Sequence, residues 1–300
     1  MKKKEIFKGV ATALITPFKN DTIDKEALER LINMQIDGGV EALVIGGTTG
    51  EAATLSDTER YELYSEAKRI IDGRCKLILG TGTNDTKAAI RHTLYADRLG
   101  CDGVLLVTPY YNKGTREGII RHYEAIADSC ELPIVLYNVP SRTGVCLDID
   151  MLERLRGVEN IVAIKEASDS VDRLGALSLF GEDLRLYAGN DSQIYSVLSL
   201  GGAGVISVVS NLYPKETIEI CERYFAGDSK ESLKMQKRML PIINSLFLET
   251  NPAPIKYAMS KKGLASAEMR LPMWLPTDAT RKRIDEAIDK FENQQPVDFS

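Results

Sequence analysis

The chain has 300 residues, 44% of them hydrophobic, enough for one large domain or two ordinary ones. Its 38 basic and 43 acidic side chains leave a net charge of −5, with no basic block beyond Lys2-Lys3-Lys4 to suggest nucleic acid. No apolar run approaches the ~18 residues of a membrane span, no apolar core of a secretory signal follows the N-terminal lysines, and five scattered cysteines form no C-x-x-C pair or zinc spacing, which fits a reduced cytoplasmic protein.

From the N-terminus, apolar strand-like runs alternate with amphipathic helical ones. The first run, GVATALIT (9–16), precedes a helical stretch over 25–37; the second, EALVIG (41–46), leads into GGTTGE (46–51). That loop combines glycines, which expose backbone N–H groups, with two hydroxyls. It can bind a carboxylate or be an ordinary turn with capping threonines. Ser56 or Asp57 caps the helix over 57–71. Next come KLILG (76–80) and GTGTND (80–85), which brushes against the dinucleotide fingerprint G-x-G-x-x-G. Asp85 replaces the third glycine where pyrophosphate would sit, so a structural turn is expected. The helices over 86–99 and 116–130 carry the only histidines, His92 and His122, both expected on helix surfaces and neither placed for a Ser-His-Asp triad. Between them lie GVLLVT (103–108) and Thr108-Pro109-Tyr110-Tyr111-Asn112, whose tyrosines read most simply as a core or interface pair.

The run PIVLY (133–137) ends in Tyr137, and IVAIK (161–165) ends in Lys165 at the same phase. A helix-length segment separates them, so they are expected side by side and parallel, with phenol and amine at one sheet edge. Counting back, Lys165, Ala163 and Ile161 should share one face, with Ile164 and Val162 on the other. A lysine closing a strand commonly snorkels to solvent; a Schiff-base enzyme needs one beside a proton-transfer group. After Tyr137, Arg142 lies between proline and glycine, solvated or available to a carboxylate. The runs LRLYAG (184–189) and AGVISV (203–208) complete eight strands, and strict alternation predicts a (β/α)8 TIM barrel, with a doubly wound open sheet as the alternative. Catalytic groups then belong at the strands' carboxyl ends, among them Gly189-Asn190-Asp191 and Ile206-Ser207. After Ser210 only helices are expected, over about 214–226, 229–247, 254–262 and 277–293. This divides the chain into a barrel carrying the active site (1–226) and a C-terminal all-helical appendage (227–300).

Taken together and in order, GGTTGE, TPYYN, YNVPSRTG, IKEAS and GGAGVISV resemble the dihydrodipicolinate synthase family, within the wider N-acetylneuraminate lyase superfamily of class I aldolases. The resemblance runs from GVATALITPF to NPAPIKYAM and LRLPM. It implies a lyase of lysine and diaminopimelate biosynthesis. Lys165 would form a Schiff base with pyruvate, which then adds to aspartate semialdehyde, without metal or cofactor. It also implies a proton relay of Thr48, Tyr137 and Tyr111, the last reaching into a neighbouring subunit's site, and hence a homotetramer built from dimers. Thr49 would hold the pyruvate carboxylate, Arg142 that of aspartate semialdehyde, and Gly189 and Ile206 would make backbone contacts near the imine. The two threonines of GGTTGE and the arginine of Ser141-Arg142-Thr143 favour this substrate pair over the alternative, a pyruvate-dependent sugar-acid aldolase. Lysine-inhibited members carry serine, two histidines and a glutamate where this chain has Ala52, Asp57, Arg60 and Ala88, so weak or absent lysine inhibition is expected. A non-catalytic oxo-acid sensor would not need the relay.

Overall fold

The computed structural model describes residues 3–293; the first two residues and 294–300, the end of the expected appendage, lie outside it. The strands are β1 (Gly9–Ala13), β2 (Phe18–Lys19), β3 (Thr22–Ile23), β4 (Ala42–Ile45), β5 (Lys76–Gly80), β6 (Gly103–Val107), β7 (Ile134–Asn138), β8 (Ile161–Glu166), β9 (Arg185–Ala188) and β10 (Gly204–Ser207). Around them run α1 (Lys25–Asp37), α2 (Asp57–Ile71), α3 (Thr86–Leu99), α4 (Arg116–Ala127), α5 (Pro140–Thr143) and α6 (Ile149–Leu155). The series continues with α7 (Val171–Ser178), α8 (Ile194–Ser199), α9 (Pro214–Phe225), α10 (Ser229–Ser245), α11 (Ala253–Lys261) and α12 (Asp278–Glu292). β1 and β4–β10 close a parallel barrel in the order β1-β10-β9-β8-β7-β6-β5-β4. The TIM barrel is therefore present, and the open sheet is excluded.

Each barrel strand is buried on both faces, which is why it reads as a continuous apolar run. Val10, Leu43, Leu79, Leu106, Leu136 and Ile164 face the helices, whereas Ala11, Ala13, Val44, Ile78, Val135, Ala163 and Ile206 fill the interior. β8 departs from the simple count. Its register with β7 shifts between Ile134↔Ile161 and Val135↔Ala163, so Val162 joins the interior and Ile161 the helical shell. An inserted residue at the strand's start reverses the alternation below it and leaves Ala163 and Lys165 in phase.

The N-terminal face is sealed by Phe7, stacked on Tyr187 at 4.3 Å, and by the Lys3 ammonium, which donates to the carbonyls of Arg156, Val158 and Ile161. β2 and β3 form a hairpin that the apolar pattern did not announce. Its turn residues, Asn20 and Asp21, both have positive φ (53° and 60°), the geometry a two-residue hairpin demands. Ser56 closes a capping box with Glu59 at the start of α2, and Asp85 caps α3 by accepting from Lys87. In the GTG turn, a Cβ on Gly80 would lie 2.3 Å from the Gly46 carbonyl oxygen, and one on Gly82 would lie 2.4 Å from the Val107 nitrogen. Those glycines serve close packing of backbones.

The histidines are not surface residues. His92 and His122 are each 5% exposed, wedged where neighbouring barrel helices meet. His92 Nε2 contacts Asp57 Oδ1 at 2.9 Å, and His122 Nδ1 contacts Thr86 Oγ1 at 2.9 Å. Burial lowers both, His122 to about 4, so that ring is neutral at pH 7. Beyond α9, α10 packs back on the barrel's last helix, Ser232 donating to the Ile220 carbonyl. The chain then returns over the carboxyl ends of the strands, where it enters the site.

Candidate active site

The loop after β4 is shaped by its backbone. Gly46 has φ +68°, and a Cβ there would lie 2.7 Å from the Tyr64 ring. Glu51 also adopts a left-handed conformation, φ +54°, which costs a non-glycine residue about 1–2 kcal/mol. Two contacts hold it: the buried Lys256 ammonium donates to Glu51 Oε1, and the Arg270 amide donates to Oε2 at 3.1 Å. The turn thereby places Thr48 in the same cavity wall as Tyr137, whose phenol it pulls downward. Thr49 is buried, its hydroxyl accepting from Asn251 Nδ2 at 2.9 Å. Among the described residues the amides of Thr48 and Thr49 donate to no backbone carbonyl, which leaves them for a ligand.

Tyr137 and Lys165 face each other across β7 and β8. The Lys165 side chain is 4% exposed, with Nζ 4.4 Å from the centre of the Tyr137 ring. Burial pulls its ammonium down to about 8, helped by Arg142 and opposed by Asp191. At pH 7 about one lysine in ten is then neutral, against roughly one in a few thousand for a free side chain. Burial moves the Tyr137 phenol the other way, upward, with Arg142 and Thr48 opposing. It therefore keeps its proton at neutral pH and can both donate and accept. The arrangement couples a nucleophilic amine to a protonated phenol and a hydroxyl, as acid–base chemistry at a carbonyl requires.

Arg142 sits on the short helix α5, opened by Pro140 at its first position. Its Nη2 donates to the Asn251 carbonyl at 2.9 Å. With Thr48, Tyr137, Tyr110 and Asn251 it lines a cavity of about 430 Å³ at the barrel mouth. Gly189 lies beside the end of β8. A Cβ there would come within 2.7 Å of Ala167 Cβ, and its N–H already donates to the Glu166 carbonyl at 2.7 Å, so only its carbonyl is left for a ligand. Ile206 is buried in the interior layer with Ala163 and Tyr187. Lys165, Thr49, Gly189 and Ile206 lie outside the lining of this cavity, and so does Tyr111, which differs from them in being 90% exposed, with φ +72°.

Three contributors escaped the sequence reading of individual residues. Asp191 was on the rim but without a role. It is 1% exposed, Oδ2 accepts from the amides of Val208 (3.0 Å) and Val209 (2.8 Å), and Oδ1 has no partner. Burial raises this carboxyl, while Ser207, the two amides and Lys165 pull it back down. Asn251 and the Glu51–Lys256 pair come from chain return, for which NPAPIK (251–256) carries no signal beyond its position. Glu166, adjacent to the lysine, points outward into a buried cluster with Arg173 (2.7 Å) and Asn138 (2.9 Å). Among the described residues no group of three or more His, Cys, Asp or Glu could hold a metal ion.

The profile of the Dihydrodipicolinate synthetase family matches residues 6–291. The chain is 48% identical over 269 residues to a 4-hydroxy-tetrahydrodipicolinate synthase of Clostridium novyi (strain NT), covering 89% of this chain and 91% of that protein. The solved 4-hydroxy-tetrahydrodipicolinate synthase of Methylacidiphilum fumariolicum SolV superposes with a TM-score of 0.94 at 40% identity, covering 96% of this chain and 97% of that one. The chloride-inhibited dihydrodipicolinate synthase of Acinetobacter baumannii, solved with pyruvate, gives a TM-score of 0.93 at 38% identity, covering 95% and 99%. With its family profile spanning nearly the whole chain and its site at the strands' carboxyl ends, the chain belongs to the dihydrodipicolinate synthetase family.

Proposed function

We propose that this chain condenses pyruvate with L-aspartate 4-semialdehyde to 4-hydroxy-tetrahydrodipicolinate, the reaction its relatives are named for. The observation that carries the reading is a desolvated Lys165 amine held 4.4 Å over the Tyr137 ring at the mouth of the barrel. Neutral Lys165 attacks the pyruvate carbonyl, Tyr137 and Thr48 pass protons, and water leaves to give a protonated imine. Its electron demand acidifies the methyl group, which loses a proton to form an enamine. The enamine carbon adds to the aldehyde, and the amino group of the bound semialdehyde then attacks the imine carbon, closing the ring and expelling Lys165. The Thr48 and Thr49 amides and the Thr49 hydroxyl suit the pyruvate carboxylate, and the Arg142 fork suits that of the second substrate. Gly189, through its carbonyl, and Ile206 bound the space around the imine.

Two outcomes follow at the bench. Only neutral Lys165 is a nucleophile and its ammonium is lowered to about 8, so the rate of adduct formation should rise about tenfold per unit of pH below that value. It should level off above pH 8, as a pH series of single-turnover trapping with borohydride would record. Arg142→Ala should raise KM for aspartate semialdehyde about tenfold to a hundredfold, the worth of a charge-assisted pair, with KM for pyruvate little changed in steady-state assays.

Tyr111, exposed and outside this chain's own cavity, is assigned to the site of a neighbouring copy, and the assembly to a homotetramer of dimers. Lysine should inhibit weakly or not at all. Ala52 and Ala88 offer no polar partner, and Arg60, whose Nη2 donates to the Ala52 carbonyl at 2.7 Å, has the same charge as lysine's ammonium groups; clear inhibition at millimolar lysine would contradict this. The unpaired cysteines fit a reducing compartment, the cytoplasm. Turnover itself is tested by supplying both substrates, a dihydrodipicolinate reductase and NADPH. Oxidation of NADPH that needs both substrates supports the reading, and no turnover by the folded protein opposes it.

A further inference from the structure

The Glu51–Lys256 contact joins two segments far apart in the chain, and both side chains are fully enclosed (1% and 0% exposed). Burying two charges is a poor route to stability, because lost hydration offsets their attraction. Lys256 nonetheless has its needs met: it donates to Glu51 and to the Glu268 carbonyl at 2.7 Å, and its ammonium lies 4.5 Å from the Phe18 ring centre. Burial presses Lys256 towards neutrality, and Glu51 opposes this. The other carboxylate oxygen takes the Arg270 amide, and Arg270 is itself tied to Glu59 and Asp21. The pair thus connects the Glu268–Arg270 segment to the one residue of the GGTTGE turn that is both left-handed and not glycine. Glu51 closes this turn with its own amide, which donates to the Thr48 carbonyl at 3.1 Å.

We infer that Glu51 and Lys256 are positioning residues for pyruvate: their ion pair fixes the backbone of Thr48 and Thr49 in the orientation that receives the carboxylate. The inference rests on the function proposed above and deepens it. Loosening the pair lets the turn leave its left-handed conformation, so the amides no longer converge, while Arg142, held by the Asn251 carbonyl, is untouched.

The test is the double substitution Glu51→Gln/Lys256→Met, which removes both charges together and leaves no lone buried ion. The wild-type protein is first shown to turn over both substrates; if it does not, the functional reading fails, and the pair is not at issue. With turnover established, the double variant should melt within a few degrees of wild type. Its KM for pyruvate should rise about tenfold or more, the loss of roughly one charge-assisted hydrogen bond, with KM for aspartate semialdehyde within about twofold. A folded double variant with unchanged KM for pyruvate, equal losses for both substrates, or a double variant that does not fold would each assign the pair to the fold alone and overturn the inference.

Discussion

Lys165→Ala should abolish turnover while leaving the fold intact. The side chain is buried but pays heavily in hydration for its place, so its removal relieves a desolvated amine and leaves only a small cavity. Expected stability changes are therefore modest, whereas catalysis loses its covalent route altogether. Removal of a nucleophile from a working constellation commonly lowers kcat by about 10⁴-fold or more. Steady-state assays with both substrates, alongside a thermal melt, check both halves. An alanine variant with more than a few per cent of wild-type activity would deny Lys165 the nucleophile's role.

Tyr137→Phe tests the proton path separately from the nucleophile. The phenol is kept protonated by burial and shares a cavity wall with Thr48, and phenylalanine retains the ring that packs against Lys165. Proton transfer by a positioned side chain contributes about 10²–10⁴-fold, so kcat should fall by that order. KM for pyruvate should change little, because the carboxylate is held by the loop after β4. The signature is a variant that still accumulates borohydride-trappable adduct, but slowly. If kcat is preserved and KM for pyruvate rises instead, Tyr137 binds substrate and another group carries the proton.

The fold was legible because a parallel barrel writes its strands as apolar runs at regular spacing, and all eight appear where those runs lie. The pairing of Tyr137 with Lys165 followed from their shared phase and the helix-length segment between the two runs, and it matches the register. Where the reading slipped, a local geometry had no counterpart in hydropathy. The extra residue in β8 moved Ile161 and Val162 to opposite faces from those counted. The β2–β3 hairpin is too short to show alternation, and only its Asn20-Asp21 turn could have revealed it. His92 and His122 look amphipathic-surface in sequence but lie in seams between helices, a contact that helix periodicity does not encode. At the site, residues on strand ends could be read off the rim. Asn251, Lys256 and Arg270 could not, because long-range return of the chain brings them over the barrel mouth.

The most direct test of the account is reductive trapping: the protein is incubated with pyruvate and borohydride, digested, and the modified peptide sequenced by mass spectrometry. The account predicts one reduced pyruvate per chain, located on Lys165 and lost in Lys165→Ala. An unmodified Lys165, or pyruvate fixed on a different lysine, would contradict it.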